Sequence, residues 1–108
     1  MVRARTMDEV YNLLGLAYRA GRVTSGYQAV MAALKRGKVV LLIAARDTSP
    51  RLQSRLLALS RQNGSQGLLF GDKATIGAAL GKPPCAVVGI TDANLANLIR
   101  QKVREVGA

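Results

Sequence analysis

The chain has 108 residues, 16 Lys and Arg against 6 Asp and Glu, a formal net charge of +10, no His, no Trp and one Cys. One Cys excludes a disulfide framework, and the missing His removes the commonest acid–base group and a zinc ligand set. The length suits one domain over residues 1–108 with one modest core, for which size scaling gives a folded surface of about 5,800 Å².

The first helix is signalled by a capping box, Thr6 with Glu9 three residues on. Met7, Val10, Leu13, Leu14 and Ala17 follow at helical spacing, and Gly21 supplies a left-handed stop. Arg22-Val23-Thr24 has room only for a brief strand or linker. Ser25 and Gln28 form a second capping-box pair, opening a helix with Ala29, Val30, Ala33 and Leu34 on its apolar face and Gly37 at its end.

Val39–Ala44 is an apolar run without alternation, which suits a strand covered on both faces. The longest apolar stretch, Val39–Ala45, is far short of the roughly 20 residues of a membrane span. Asp47-Thr48-Ser49-Pro50 reads as a turn into a helix with Pro50 at its first position. Leu52, Leu56 and Leu59 form that helix's stripe, with Arg51, Arg55 and Arg61 among them, and Asn63-Gly64 closes it. Gly67–Phe70 reads as a short strand, Asp72 as the cap of a helix to Leu80, and Cys85–Ile90 as a third apolar strand. Thr91 or Asp92 caps the last helix, with Leu95, Leu98, Ile99 and Val103 inward. Asp8-Glu9, Asp47 and Asp72 read as residues of helix starts and turns. Helices alternating with buried strands predict an α/β fold, a three-layer α/β/α sandwich with a small mixed sheet.

Enzyme signatures are missing. There is no dinucleotide fingerprint and no nucleophile elbow. Gly71-Asp72-Lys73 resembles the tail of a P-loop, but Asp72 separates Gly from Lys and Thr75 is out of place. The expectation is a protein without catalysis, cofactor, metal or small-molecule substrate. A charge of +10 exceeds what solubility requires and points to a polyanion, since phosphate neutralisation gives affinity without sequence reading. Arg19, Arg22, Lys35, Arg36, Lys38 and Arg46 all fall in the first half.

With one Phe and no Trp, a base-stacking sheet is not expected, and Phe70 reads as core. Two features remain. At Thr24-Ser25-Gly26-Tyr27-Gln28, free N–H groups at a helix start favour a phosphate and Gly26 permits close approach. Gln28 either completes a capping box or reaches a base edge. Gly81-Lys82-Pro83-Pro84-Cys85 is either an ordinary helix-to-strand connection or a proline-stiffened loop that presents apolar surface to a base. Cys85 reads as a buried small hydrophobe in a reducing compartment. With no apolar signal region after the basic Met1–Arg5, the reading is cytoplasmic. No helix offers a second apolar stripe, so a monomer is expected. The alternative is a protein-interaction module with an apolar patch around Tyr11, Tyr18 or Tyr27.

Together these pieces are familiar. Asn12-Leu13-Leu14-Gly15-Leu16-Ala17 with Ala20-Gly21, Ser25-Gly26, Lys35-Arg36-Gly37, Leu42-Ile43-Ala44 with Asp47 and Pro50, Ile76-Gly77, and Leu80-Gly81 occur in a specific order. Over about Asn12 to Val103 the chain resembles the kink-turn-binding ribosomal proteins of archaea and eukaryotes, in their small bacterial YlxQ-like branch. The resemblance implies an α/β/α sandwich that binds structured or ribosomal RNA through the start of the second helix and the loop before the last strand. The family's helix motif opens with Gly, which falls on Gly26. Its Asn falls on Gln28, its base-reading Glu on Ala29 and its Lys on Ala32. The resemblance thus implies an RNA grip by Gly26 and the Gly81–Cys85 loop, with one good base contact fewer, worth about 1–3 kcal/mol of discrimination.

Overall fold

The computed structural model describes residues 2–106, with side chains from residue 5 onward; residues 1, 107 and 108 of the expected 1–108 domain lie outside the described residues. Five helices alternate with four strands among them: α1 (Val2–Arg19), β1 (Val23–Ser25), α2 (Tyr27–Lys35), β2 (Leu41–Ala44), α3 (Pro50–Gln62), β3 (Gln66–Leu69), α4 (Lys73–Leu80), β4 (Val87–Ile90) and α5 (Ala93–Glu105). The strands form one mixed sheet in the order β1-β4-β2-β3. β4 lies between β1 and β2 and is antiparallel to both, with Ser25 opposite Val88 and Ala44 opposite Val87. β2 and β3 are parallel, Leu41 beside Gln66, joined through α3.

Strand pleating sorts the core into two layers. Leu41 and Ile43 of β2 and Val88 and Ile90 of β4 pack with Val10 and Leu14 of α1, Ile76 and Leu80 of α4, and Ala96, Ile99 and Val103 of α5. Leu42, Ala44 and Val87 point the other way, onto Val30 and Leu34 of α2 and Leu56 of α3. Successive residues of a strand face opposite sides, so every position of β2 and β4 is buried. This is the three-layer sandwich with a mixed sheet that the uninterrupted apolar runs predict. The accessible surface is 6037 Å², close to the size-scaling value. No helix among the described residues is long and apolar enough to cross a membrane.

Local chemistry explains most boundaries. Ser49 accepts from the Leu52 N–H and Pro50 follows it at the first helical position. Asp72 accepts from Thr75 and Asp92 from Leu95 at the starts of α4 and α5. The Gln53 amide donates to the carbonyls of Arg46 and Thr48, each at 2.9 Å, and pins the turn between β2 and α3. Where α1 crosses α4, a Cβ on Gly15 would stand 2.7 Å from the Ala79 carbonyl oxygen, so only glycine fits that approach.

Four expectations are corrected. α1 begins at Val2, so Thr6, Asp8 and Glu9 lie inside the helix and not at its start. Packing against α5 carries the helix back past its apparent cap: Thr6 is buried, and Lys102 of α5 reaches Glu9 at 3.0 Å. The Ser25–Gln28 capping box is also not formed. Ser25 is held in β1, and Gly26 caps α2 with no side-chain hydrogen bond. On α5, Ala96 takes the core position expected of Leu98, which is 41% exposed. Leu98 shares a shallow groove with Leu16, 55% exposed, so an apolar pair is left outside the core after all.

Candidate functional site

The two segments singled out in the sequence meet at one end of the sheet. Because β1 and β4 pair antiparallel, the start of α2 lies beside the loop that enters β4, and the Gly26 N–H donates to the Val87 carbonyl at 3.0 Å. Ser25, Gly26, Tyr27, Lys82, Pro83, Pro84, Cys85 and Ala86 line an open cleft of about 390 Å³ between them. Gly26 has φ 91°, a conformation for which glycine is suited, and the turn it makes swings the chain from β1 into α2. With no side-chain cap on α2, its first N–H groups remain open to an anion.

The other wall is built just as locally. Gly81 ends α4 in the left-handed region, and the Lys82 N–H returns to the Gly77 carbonyl at 2.8 Å. A Cβ on Gly77 would fall inside van der Waals contact with the Pro83 carbonyl, so the loop lies flat on α4 only because residue 77 is glycine. Cys85 donates its backbone N–H to Lys73 and Ala86 accepts from Ala45, which fixes the loop to α4 and β2. The Lys82 ammonium stands 3.2 Å from Ser25 Oγ and 5.4 Å from the centre of the Tyr18 ring. It therefore spans the mouth of the cleft between hydroxyl and π-face, a placement that holds a cation without neutralising it. Cys85 is buried, as expected.

The remaining candidates divide. Arg46, exposed at the end of β2, shares the cleft's end of the sheet through the Ala45–Ala86 hydrogen bond next to it. Gln28 is exposed, and its amide is free of a capping role. Thr24 does not face the cleft: its Oγ1 is buried with no hydrogen-bond partner. Arg22 lies at the opposite end of the sheet, where its carbonyl accepts from the Thr91 N–H and hydroxyl. Arg36 and Lys38 follow the far end of α2, near Val40, which bonds Ile90. A strand length, roughly 10 Å at 3.3 Å per residue, separates these three from the cleft. Lys35 instead joins Gln28 on a groove between α2 and α3.

Tyr18 and Arg55 are missed by reading the sequence. Tyr18 meets Lys82 only through tertiary folding, and no local pattern announces the pair. Arg55 lies across the α2–α3 groove from Lys35, where helical periodicity marks it merely as a solvated position. Of the three tyrosines around which a patch is expected, Tyr11 packs on Phe70 at 5.2 Å and Tyr18 lies under Lys82, while Tyr27 stays exposed. Burial pushes the Tyr11 hydroxyl above its ordinary pKa. The hydrogen bond from the Thr75 side chain, with that from its N–H, holds the Asp72 carboxyl below its own, as a helix cap should. Asp47 accepts from the Lys73 N–H at 3.0 Å, so both carboxylates nearest the site are engaged in holding backbone. Among the described residues no group of His, Cys, Asp and Glu could hold a metal ion.

A small α/β/α domain with a cationic cleft where a helix start meets a loop at the sheet's end is a binding module in form. The chain belongs to the Ribosomal protein L7Ae/L30e/S12e/Gadd45 family, whose model matches residues 8–100. Among solved structures it is similar to a protein of unknown function from Bacillus halodurans, with 27% identity and a TM-score of 0.83 over 88% of this chain and 96% of that one. It is similar in fold to the Giardia lamblia 15.5kD RNA binding protein, with 24% identity and a TM-score of 0.76 over 95% of this chain and 88% of that one. No curated protein matches the chain in sequence.

Proposed function

We propose that the chain binds structured RNA, kink-turn-like or ribosomal, as a ribosomal or ribosome-associated protein of the cytoplasm. The whole chain acts as one non-catalytic domain and as a monomer. The observation that carries this reading is the convergence of Lys82, Ser25 and the uncapped start of α2 on one cleft. Open N–H groups, a positive helix end and an ammonium without a carboxylate suit a phosphate turned sharply toward the protein. Membership of a ribosomal-protein family supports RNA as the polyanion, and the name of the Giardia protein of the same fold points the same way.

Recognition here favours shape and backbone over base identity. Ala29, expected on the apolar face of α2, is exposed like Ala32, and neither offers a hydrogen bond to a base. Gln28 keeps an amide that can both donate and accept. Binding should therefore discriminate kinked from straight RNA while weakening steeply with salt.

Fluorescence anisotropy with an RNA containing a kinked internal loop, a straight duplex of equal length and a ribosomal RNA fragment tests this at two salt concentrations. The kinked or ribosomal RNA should bind more tightly than the duplex. Lys82→Glu should lower affinity about tenfold and flatten the salt slope by about 1. Absence of binding to every RNA at low salt would overturn the proposal.

A further inference from the structure

A second depression opens on the same side of the molecule. Between α2 and α3, a groove of about 400 Å³ has Lys35 on one wall and Arg55 on the other. Met31 and Leu59, both half-buried, line it, and Tyr27, 40% exposed, closes the end nearest the cleft. We propose that this groove is a second RNA subsite, which takes a single-stranded segment leaving the Gly26–Lys82 cleft. The inference rests on the RNA reading above.

Three observations converge on that ligand. The first is continuity: Tyr27 borders both the cleft and the groove, so a strand can pass from one to the other over a single side chain. The second is charge. Neither Lys35 nor Arg55 has an ion-pair partner among the described residues, and α2 and α3 contain no carboxylate. The third is the mixture of surfaces. Two cations flank apolar and aromatic side chains, which matches a polymer with phosphates outside and flat apolar faces between them. An unpaired RNA strand has both, whereas a duplex hides its bases in the stack. From Tyr27 to Lys35 the groove follows α2 for about 12 Å at 1.5 Å per residue, so the subsite is elongated along the helix.

Base stacking on aromatic and apolar side chains is tolerant of sequence, and each phosphate neutralised on a single strand adds about 0.7 to the salt slope. The subsite therefore lengthens the footprint without choosing bases. Arg55 is exposed on α3, so its substitution leaves the core intact.

The test compares the kinked-loop RNA, blunt-ended, with the same RNA carrying a tail of about six uridines at its 5′ or 3′ end, read by anisotropy across a salt series. One of the tails should raise affinity about tenfold, the scale of one stacked base, and steepen the slope by about 1.4 for two phosphates. Arg55→Glu should bring the tailed-to-blunt ratio back to about 1. Arg61→Glu, exposed on the same helix outside the groove, should weaken both RNAs alike and preserve the ratio. If the blunt RNA binds but neither tail adds affinity, the second subsite is wrong while the cleft stands. The subsite is equally wrong if Arg61→Glu erases the gain as fully as Arg55→Glu. If no RNA binds at low salt, the RNA reading falls and the subsite falls with it.

Discussion

The two outer layers of the sandwich treat charge in opposite ways. On the α1–α5 side, cations meet carboxylates: Lys102 lies 3.0 Å from Glu9 and 3.7 Å from Glu105. On the α2–α3 side, Lys35, Arg51, Arg55 and Arg61 share their helices with no acidic residue. Apolar exposure occurs on both sides, with Leu16 and Leu98 on the α1–α5 side and Tyr27 on the α2–α3 side. Of the formal charge of +10, α2 and α3 carry +4 from four cations and no carboxylate, while α1 and α5 carry +3 from six cations and three carboxylates. An ion pair joins α1 to α5, whereas the cations of α2 and α3 form no ion pair among the described residues, and two of them, Lys35 and Arg55, border the groove between those helices. A like-signed surface costs some stability through self-repulsion and gains long-range attraction for a polyanion.

This division can be broken experimentally. The largest effect should come from Phe70→Ala, which removes a buried ring from the α1–α4–α5 core and from its contact with Tyr11. Urea unfolding should show a loss of about 3–5 kcal/mol, with RNA affinity of the folded protein unchanged. A matching fall in affinity would mean that the layers do not have separate tasks. Gly77→Ala comes next, since α4 belongs to the structural layer yet supports a wall of the cleft. The added methyl must push the Pro83 carbonyl away, at about 1–3 kcal/mol, and here stability and RNA affinity should fall together.

The smallest effect belongs to Lys102→Ala on the salt-bridged side. The hydrogen bond to Glu9, aided by the charge of Glu105, raises the Lys102 pKa. The contribution of the pair is thus fully present below the ordinary lysine pKa and disappears as pH rises through the raised value. A thermal-melting difference between wild type and variant should be small at neutral pH, shrink with added salt and vanish in strong base. RNA affinity should not change.

Reading the sequence recovers the fold better than the site, for physical reasons. Uninterrupted apolar runs such as Leu41–Ala44 announce strands covered on both faces, and Ser49-Pro50, Asp72 and Asp92 announce helix starts through local hydrogen bonds. The same local logic misleads at Thr6 and at Ser25, where packing onto α5 and pairing with β4 outweigh a cap. The cleft is half legible. Gly26 and the two prolines carry local signals, but their meeting depends on β4 entering the sheet beside β1. Arg22, Lys35, Arg36 and Lys38 look like one basic set along the chain. In space Lys35 faces the α2–α3 groove, while Arg22, Arg36 and Lys38 lie at the far end of the sheet. Charge has no periodicity that reveals its neighbours, so Arg55 and Tyr18 stay silent until the helices are packed.

The place of β4 in the sheet also bears on how the protein is made. It is the last of the four described strands to be synthesised, yet it inserts between the first and second of them. Chains emerge from the ribosome N-terminal end first. The segment from β2 through α3 to β3 can therefore pair while β1 still lacks its neighbour. The cleft needs both Lys82 and the Gly26–Val87 hydrogen bond, so it has no counterpart on a nascent chain that stops short of β4. Only a chain extended through β4 can present it.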